Sequence, residues 1–199
     1  MTLPRPDNRL PTKTLMEAVA SIKRGLSSYH IKEQGKAVRI VNIKDIQDGQ
    51  IDIANLVTTH IDETSAGKEC RIEEGDVLLT IKGPTFKAAV AMRETSDLFF
   101  SANILAIRPN SSLEAALLCS FLNSEEGQRQ LRARAVGAVI SSLTPKAILD
   151  IPIPMLSAKH QKELAAYLAL ATEYRSLLRR ELELSEKIES SLISKMVKV

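Results

Sequence analysis

Residues 151–197 read IPIPMLSAKHQKELAAYLALATEYRSLLRRELELSEKIESSLISKMV, and the fold is decided by how this stretch is read. Pro152 and Pro154 remove backbone donors and bias the residues before them to extended backbone, so the segment opens as a linker. Beyond Pro154 the chain contains neither Pro nor Gly. From about Ser157 to Val197 the sequence therefore predicts one helix of about 41 residues, roughly 60 Å long at ~1.5 Å per residue. Leu164, Tyr167, Ala171, Tyr174, Leu178, Ile188 and Leu192 form a seam at three- and four-residue spacing. Leu168, Leu170, Leu177, Leu182 and Leu184 widen it, and Glu181 and Ser185 interrupt it. A helix of that length outruns what a small domain can cover, so the seam predicts a partner helix.

Upstream, strand-like patterning comes first and helical patterning follows. Ala37 to Ile46 (AVRIVNIKDI) is rich in β-branched residues, and Asp48-Gly49 supplies a turn before QIDIANLV, which predicts two strands in a hairpin. A turn at Glu74-Gly75-Asp76 leads into a buried strand, Val77 to Ile81, that ends at Gly83-Pro84. Further strands are expected over 88–92 and 104–107. The period then changes, and 113–131 predicts helix broken near Asn123 to Gly127. Near the start, Pro4, Pro6 and Pro11 mark an extended arm, and Lys13 to Gly25 carries Leu15, Val19 and Ile22 at the spacing of a short helix or turn. Strands before helices suit an α+β domain over 1–150 with a mainly antiparallel twisted sheet and flanking helices, followed over 151–199 by a linker and the long coiled-coil helix.

A length of 199 residues suits one domain with an appendage. Apolar residues at 44% are enough for a core, while aromatics at 4%, without Trp, disfavour base-stacking platforms and aromatic cages. No stretch has the length and apolarity of a membrane span and the first residues do not resemble a signal peptide, so a cytosolic protein without membrane partners is expected. Cys70 and Cys119 lack metal or disulfide spacing and are expected to be buried or half-buried thiols. The net charge of +3 hides segregation: residues 45–76 hold nine acids against two bases. Between Asp76 and Glu94 come Lys82, Lys87 and Arg93 with no acid, and between Glu126 and Asp150 come Arg129, Arg132, Arg134 and Lys146, again with none. Such basic stretches suit phosphate contacts, and equally a solvated surface.

Familiar catalytic constellations are missing. His30, His60 and His160 stand apart from one another and from cysteine, no GxG, GxSxG or GxxxxGK[ST] occurs, and no Glu is followed two positions later by Lys.

The succession VRIVNIKDIQDGQID, EEGDVLLTIKG, FFSANILAIRPN, FLNSEEGQRQL and VGAVISSLTPKAILDIPIPMLSAKHQKELA resembles one half of the specificity (S) subunit of type I restriction-modification systems. The most specific part is the junction: Gly137, the Leu143-Thr144-Pro145 step, the Ile151-Pro152-Ile153-Pro154 run and Gln161 opening the long helix. The resemblance implies a target recognition domain that reads half of a split duplex DNA site, and a helix that acts as spacer and docks methyltransferase subunits, with a restriction subunit as a further partner. It implies no cofactor on this chain, because adenine methylation from S-adenosylmethionine belongs to the partner. Such subunits usually hold the unit twice, and the sequence here shows one copy and no internal repeat. That predicts a half-length form which completes itself as a homodimer or with another half subunit. An identical pair would read an inverted repeat whose halves lie no more than about 18 base pairs apart, given a helix of roughly 60 Å and ~3.4 Å per step.

For DNA contacts the loop Lys82, Gly83, Pro84, Thr85, Phe86, Lys87 is the first candidate, because a Gly-Pro turn projects two lysines from the end of a buried strand. Arg132, Arg134, Ser141, Ser142 and Lys146 near Gly137 form a second set, with arginine suited to bidentate reading of guanine. Arg93 and Lys44 are weaker candidates. Two other readings stay open: a coiled-coil adaptor whose acidic 45–76 stretch binds protein, and an enzyme with a site near Asp76 or Asp97.

Overall fold

The computed structural model describes residues 10–62, 70–137 and 140–197. The arm prolines Pro4 and Pro6 and, within the acidic stretch, Glu63, Lys68 and Glu69 lie outside them. In chain order come β1 (Thr12–Thr14), α1 (Leu15–Ala18), β2 (Val19–Arg24), β3 (Ile31–Lys32), β4 (Lys36–Val41), β5 (Ile46–Gln47), β6 (Gln50–Ile51) and β7 (Val57–Ile61). Then follow β8 (Val77–Thr80), β9 (Ala88–Val90), β10 (Phe99–Phe100), β11 (Ile104–Pro109), α2 (Ala115–Asn123), α3 (Glu125–Arg134), α4 (Pro145–Ile148), β12 (Pro152–Pro154) and α5 (Ala158–Val197).

The α+β class read from the sequence is what the structure shows, with the described strands forming two two-stranded pairs, β1-β12 and β5-β6, and two four-stranded sheets. One runs β2-β11-β8-β9, antiparallel throughout; the other runs β10-β4-β7-β3, antiparallel except where β10 meets β4. All four residues of β8 are buried, which explains why Val77 to Thr80 shows no alternation: the strand has protein on both faces. Val77, Leu79, Leu105 and Ile107 point to one side and pack with Leu118, Leu122 and Leu131 of the helices. Leu78, Ala89, Ile104 and Ala106 point to the other and pack with Val41, Phe100 and the hairpin residues Ile46 and Ile51.

Two local expectations change. The segment after Lys13 is helical only over Leu15–Ala18; Val19–Arg24 is a strand, because pairing with the buried β11 (Ile107 opposite Ile22) outweighs a weak helical spacing. The Asp48-Gly49 turn does join a hairpin, but of the short strands β5 and β6, while β4 pairs with β7.

The edge of the first sheet is closed by side-chain amides. The Asn123 carboxamide accepts from the Ala88 amide at 2.9 Å and donates to the Ala88 carbonyl at 2.9 Å. A turn of helix further on, Gln128 donates to the Phe86 and Leu122 carbonyls at 2.6 and 2.7 Å. Between them Gly127 lets α3 start against α2: a Cβ there would sit 1.9 Å from the Phe121 carbonyl oxygen.

The acids of the 45–76 stretch mostly serve the fold. Asp45 is buried and accepts from the Asn42 amide at 2.8 Å, and Asp52 accepts from the Ala54 amide at 2.9 Å. Asp76, 1% exposed, accepts from Arg108, whose guanidinium also binds Glu73 together with Lys23. Asp97 pairs with Arg71 at 3.2 Å on the surface.

Asn123→Ala strips both partners from the buried Ala88 backbone and is expected to lower unfolding free energy by about 1–3 kcal/mol, read from the urea midpoint. The Arg108 and then the Lys23 hydrogen bonds hold the Glu73 carboxyl at about 2, below its ordinary 4.5. A depressed carboxyl contributes stability above its ordinary value that is lost as pH falls through the folded one. Glu73→Gln should therefore flatten stability against pH between about 4.5 and about 2 relative to the parent protein.

Candidate nucleic-acid interface

β8 delivers Ile81 to the end of the sheet still needing backbone partners, and two segments supply them. The Ile81 amide donates to the Asn103 carbonyl and its carbonyl accepts from Leu143, both at 2.9 Å. One residue on, Lys82 lies opposite Ser142 in an antiparallel bridge, the Gly83 amide donates to the Ser141 carbonyl at 3.2 Å, and Ser142 pairs with Val136 on its other side. Loop 82–87 and the segment around Ser141 and Ser142, two separate candidates in the sequence, are thereby joined into one surface.

The loop is held at its base and open at its tip. Gly83 takes φ +124, a conformation that side chains rarely adopt. Phe86 is buried as an anchor, Gln128 holds its carbonyl, and the Lys87 amide donates to the buried Thr80 hydroxyl at 2.8 Å. Lys82, Thr85 and Lys87 are left exposed. Across from them Gly137 takes φ +114, and a Cβ there would come within 2.3 Å of the Ile140 carbonyl oxygen, so this tight turn needs glycine. Val136 and Ile140 flank it at 65% and 63% exposure, apolar side chains beside cations. The sequence reading passed over these two, although AVGAVISS between basic residues is where to look for them.

The cations sort into two classes. Arg134 is committed: its guanidinium donates to Asp150 at 2.8 Å and to the Gln130 side chain at 2.7 Å, and that hydrogen bond holds the Asp150 carboxyl below its usual range. Arg129 is likewise tied to Glu126. The acids flanking this basic stretch fold back on it. By contrast Lys82, Lys87, Arg93, Arg132 and Lys146 are exposed and have no ion-pair partner among the described residues. Arg132 lies in the last turn of α3, and Lys146 sits on α4, whose start is capped by the Thr144 hydroxyl accepting from Ala147. Arg93 follows the far end of β9, away from the end that carries Lys87, and Lys44 lies in the turn after β4.

The junction is packed into the globular unit rather than slung from it. β12 pairs antiparallel with β1, Ile151 and Ile153 are buried, and the Met155 amide donates to the Pro11 carbonyl at 2.8 Å. Ser157 caps α5 by accepting from the His160 amide at 3.3 Å. Gln161, 4% exposed, donates to the Ser112 and Leu156 carbonyls at 2.9 and 3.0 Å and accepts from the Glu114 amide at 3.1 Å.

Helix α5 presents two faces. Ala165, Leu168 and Thr172 are half-buried in line with Gln161 and form the side turned to the globular unit. The seam Leu164, Tyr167, Ala171, Tyr174, Leu178, Ile188 and Leu192 lies roughly 120° round the helix at ~3.6 residues per turn. Apart from the half-buried Ala171 it is exposed, with Tyr167 at 67%, Tyr174 at 63% and Ile188 at 62%. Cys70 and Cys119 are both buried, and burial pushes the Cys119 thiol up to about 12. Among the described residues no helix is long and apolar enough to cross a membrane.

No curated protein matches the chain. Solved structures do. A chain from a structure of complex assembly and conformational transition in the type I R-M system is 21% identical, with 89% of this chain and 43% of that one covered at a TM-score of 0.63. The type I restriction-modification S subunit from M. genitalium is 17% identical over 93% of this chain and 45% of its own, at 0.60. The HsdS subunit from Thermoanaerobacter tengcongensis is 20% identical over 89% and 42%, at 0.56. At these identities the likeness is one of fold, and the chain spans less than half the length of each. The family described as type I restriction modification DNA specificity domain matches residues 13–184, and with the sequence, the junction and the fold in agreement, the chain belongs to that family.

Proposed function

We propose that the chain is a noncatalytic specificity unit of a DNA-modifying complex: residues 1–150 read one half of a bipartite duplex site, and 151–199 form the linker and spacer helix. One observation carries this reading. Backbone pairing between 81–83 and 141–143 joins the loop bearing the exposed Lys82 and Lys87 to the Ser141–Ser142 segment, while Arg129 and Arg134 are paired with Glu126 and Asp150 and Arg132 and Lys146 stay exposed without ion-pair partners among the described residues. Lysines with Thr85, Ser141 and the Gly83 backbone suit phosphate contacts that fix register, Arg132 is the group suited to a base edge, and Val136 and Ile140 suit thymine methyls. Arg134 acts as a brace, and to touch DNA it would have to leave Asp150.

The exposed seam of α5 is covered by the same helix of a second specificity unit, from another copy or another half subunit. The two helices run antiparallel and set the reading heads apart. Methyltransferase subunits dock on this assembly and supply the chemistry with S-adenosylmethionine, with a restriction subunit as a further partner; the setting is the cytoplasm.

Lys82→Glu with Lys87→Glu should weaken duplex binding at least tenfold and lower the slope of log affinity against log salt by about 2, since each phosphate contact contributes about 0.9. Arg93→Glu, at the other end of the sheet, should change affinity less than about twofold. An unchanged double variant in fluorescence anisotropy refutes the loop assignment. In sedimentation at micromolar concentration the parent chain should be a dimer and Leu178→Glu a monomer with unaltered circular dichroism; a monomeric parent refutes self-pairing.

A further inference from the structure

Helix α5 touches the globular unit in a register of its own. Gln161, Ala165, Leu168, Thr172, Arg175 and Arg179 recur at intervals of four and three, the spacing of one helix face. Gln161 begins this contact through its three buried hydrogen bonds. Arg179 ends it in an ion pair with Asp48, and every residue from 180 to 196 is exposed.

Asp48 and Gly49 form the tip of the β5–β6 hairpin, with φ +50 and +83, the two positive values that a tight two-residue turn needs. The tip is not loose. Ile46 and Ile51 at its base are buried, the Gly49 carbonyl accepts from the Val90 amide at 3.1 Å, and Gly49 bridges Ala89 of β9. A Cβ on Gly49 would meet the Thr172 methyl at 3.7 Å and the Cys119 sulfur at 3.9 Å, so the turn lies against both α5 and α2. The hairpin, α2 and α5 wall a cleft of about 1260 Å³. β9 is the strand that carries loop 82–87 back into the sheet.

We infer that the Asp48-Gly49 turn is the second of two bearings that fix the direction of α5, and that Asp48 and Arg179 are positioning residues for the separation of half-sites. This rests on the proposed pairing through α5. A single bearing at Gln161 would leave a lever of roughly 54 Å, on which a ~10° swing moves the far end by roughly 9 Å, nearly three base-pair steps. The second bearing lies ~27 Å along, and it is anchored to the strand beside the reading loop, so it fixes the angle between that loop and the spacer. An exposed ion pair contributes little energy by itself. Its effect here is directional, because the turn and the Thr172 contact already bring the groups together.

The experiment measures distances between spin labels at the exposed positions Glu125 and Glu189, with labelled chain diluted in unlabelled chain. Both native thiols are buried and should not label. The parent should give one narrow distribution. Asp48→Asn, which tolerates the turn conformation, and Arg179→Glu should each broaden it at least twofold; Arg179→Lys should not, and Thr172→Trp should shift its mean. With paired half-sites on one duplex, Asp48→Asn and Arg179→Glu should lose at least fivefold in discrimination between the best spacing and one two base pairs longer. Affinity for an isolated half-site should stay within twofold. Unchanged widths in both single variants overturn the inference, as does equal loss with Arg179→Lys. Widths that respond as expected, in a parent that shows no spacing preference, overturn instead the pairing on which the inference rests.

Discussion

β8 has water on neither face, and that constraint orders everything around it. A strand buried on both sides must satisfy its backbone with neighbours on both edges and must end where other chain segments can take over its hydrogen bonds. β11 and β9 supply the edges. At the end, Ile81 is taken up by Asn103 and Leu143, which draws the residues after α3 back across the sheet. Loop 82–87 and the junction to the long helix are therefore consequences of one strand's termination. Neither can move without exposing a backbone group that the core needs paired.

The same economy governs charge. A net charge of +3 on 199 residues says little about DNA, and a stretch of nine acids taken alone argues against it. In the fold several of those acids serve turns and ion pairs: Asp45 closes a turn, while Asp76 and Glu73 bind Arg108. On the proposed reading, what a polyanion would meet is exposed cations without such partners, Lys82 and Lys87 among them, in the loop whose base is fixed after β8 by the backbone pairing of Lys82 and Gly83. On the proposed reading, pairing Arg129 and Arg134 with Glu126 and Asp150 would narrow the positive surface of this stretch to Arg132 and Lys146. A narrow surface suits recognition, whereas a broad one favours binding any duplex.

Much of this was legible in the sequence because local signals agreed with the tertiary structure. The long helix after Pro154, the helix break at Asn123 to Gly127, the Asp48-Gly49 turn and the buried strand 77–81 all carry periodicity or turn chemistry of their own. Strand β2 was not legible, since Val19 and Ile22 fit a helical spacing and only the neighbouring β11 decides otherwise. The pairing of β4 with β7 skips over the hairpin between them, and no local signal announces such a crossing. Side-chain assignments were the least legible. The clamps of Asn123 and Gln128, the brace between Arg134 and Asp150 and the contact of Arg179 with Asp48 all join residues far apart in sequence, and polar residues on a helix show no bias toward one distant partner.

The long helix shows how one element can answer to two partners. Its head-facing positions end at Arg179, and the polar interruptions of the seam, Glu181 and Ser185, come immediately after. Over the first half, direction is fixed from within the chain, so the seam there needs only apolar area. Over the second half nothing among the described residues restrains the helix, and on the proposed pairing register would come from the partner helix. Polar residues within an otherwise apolar seam are the usual means of specifying register, at some expense of stability. Their position beyond the last head contact is where a paired helix would have most need of them.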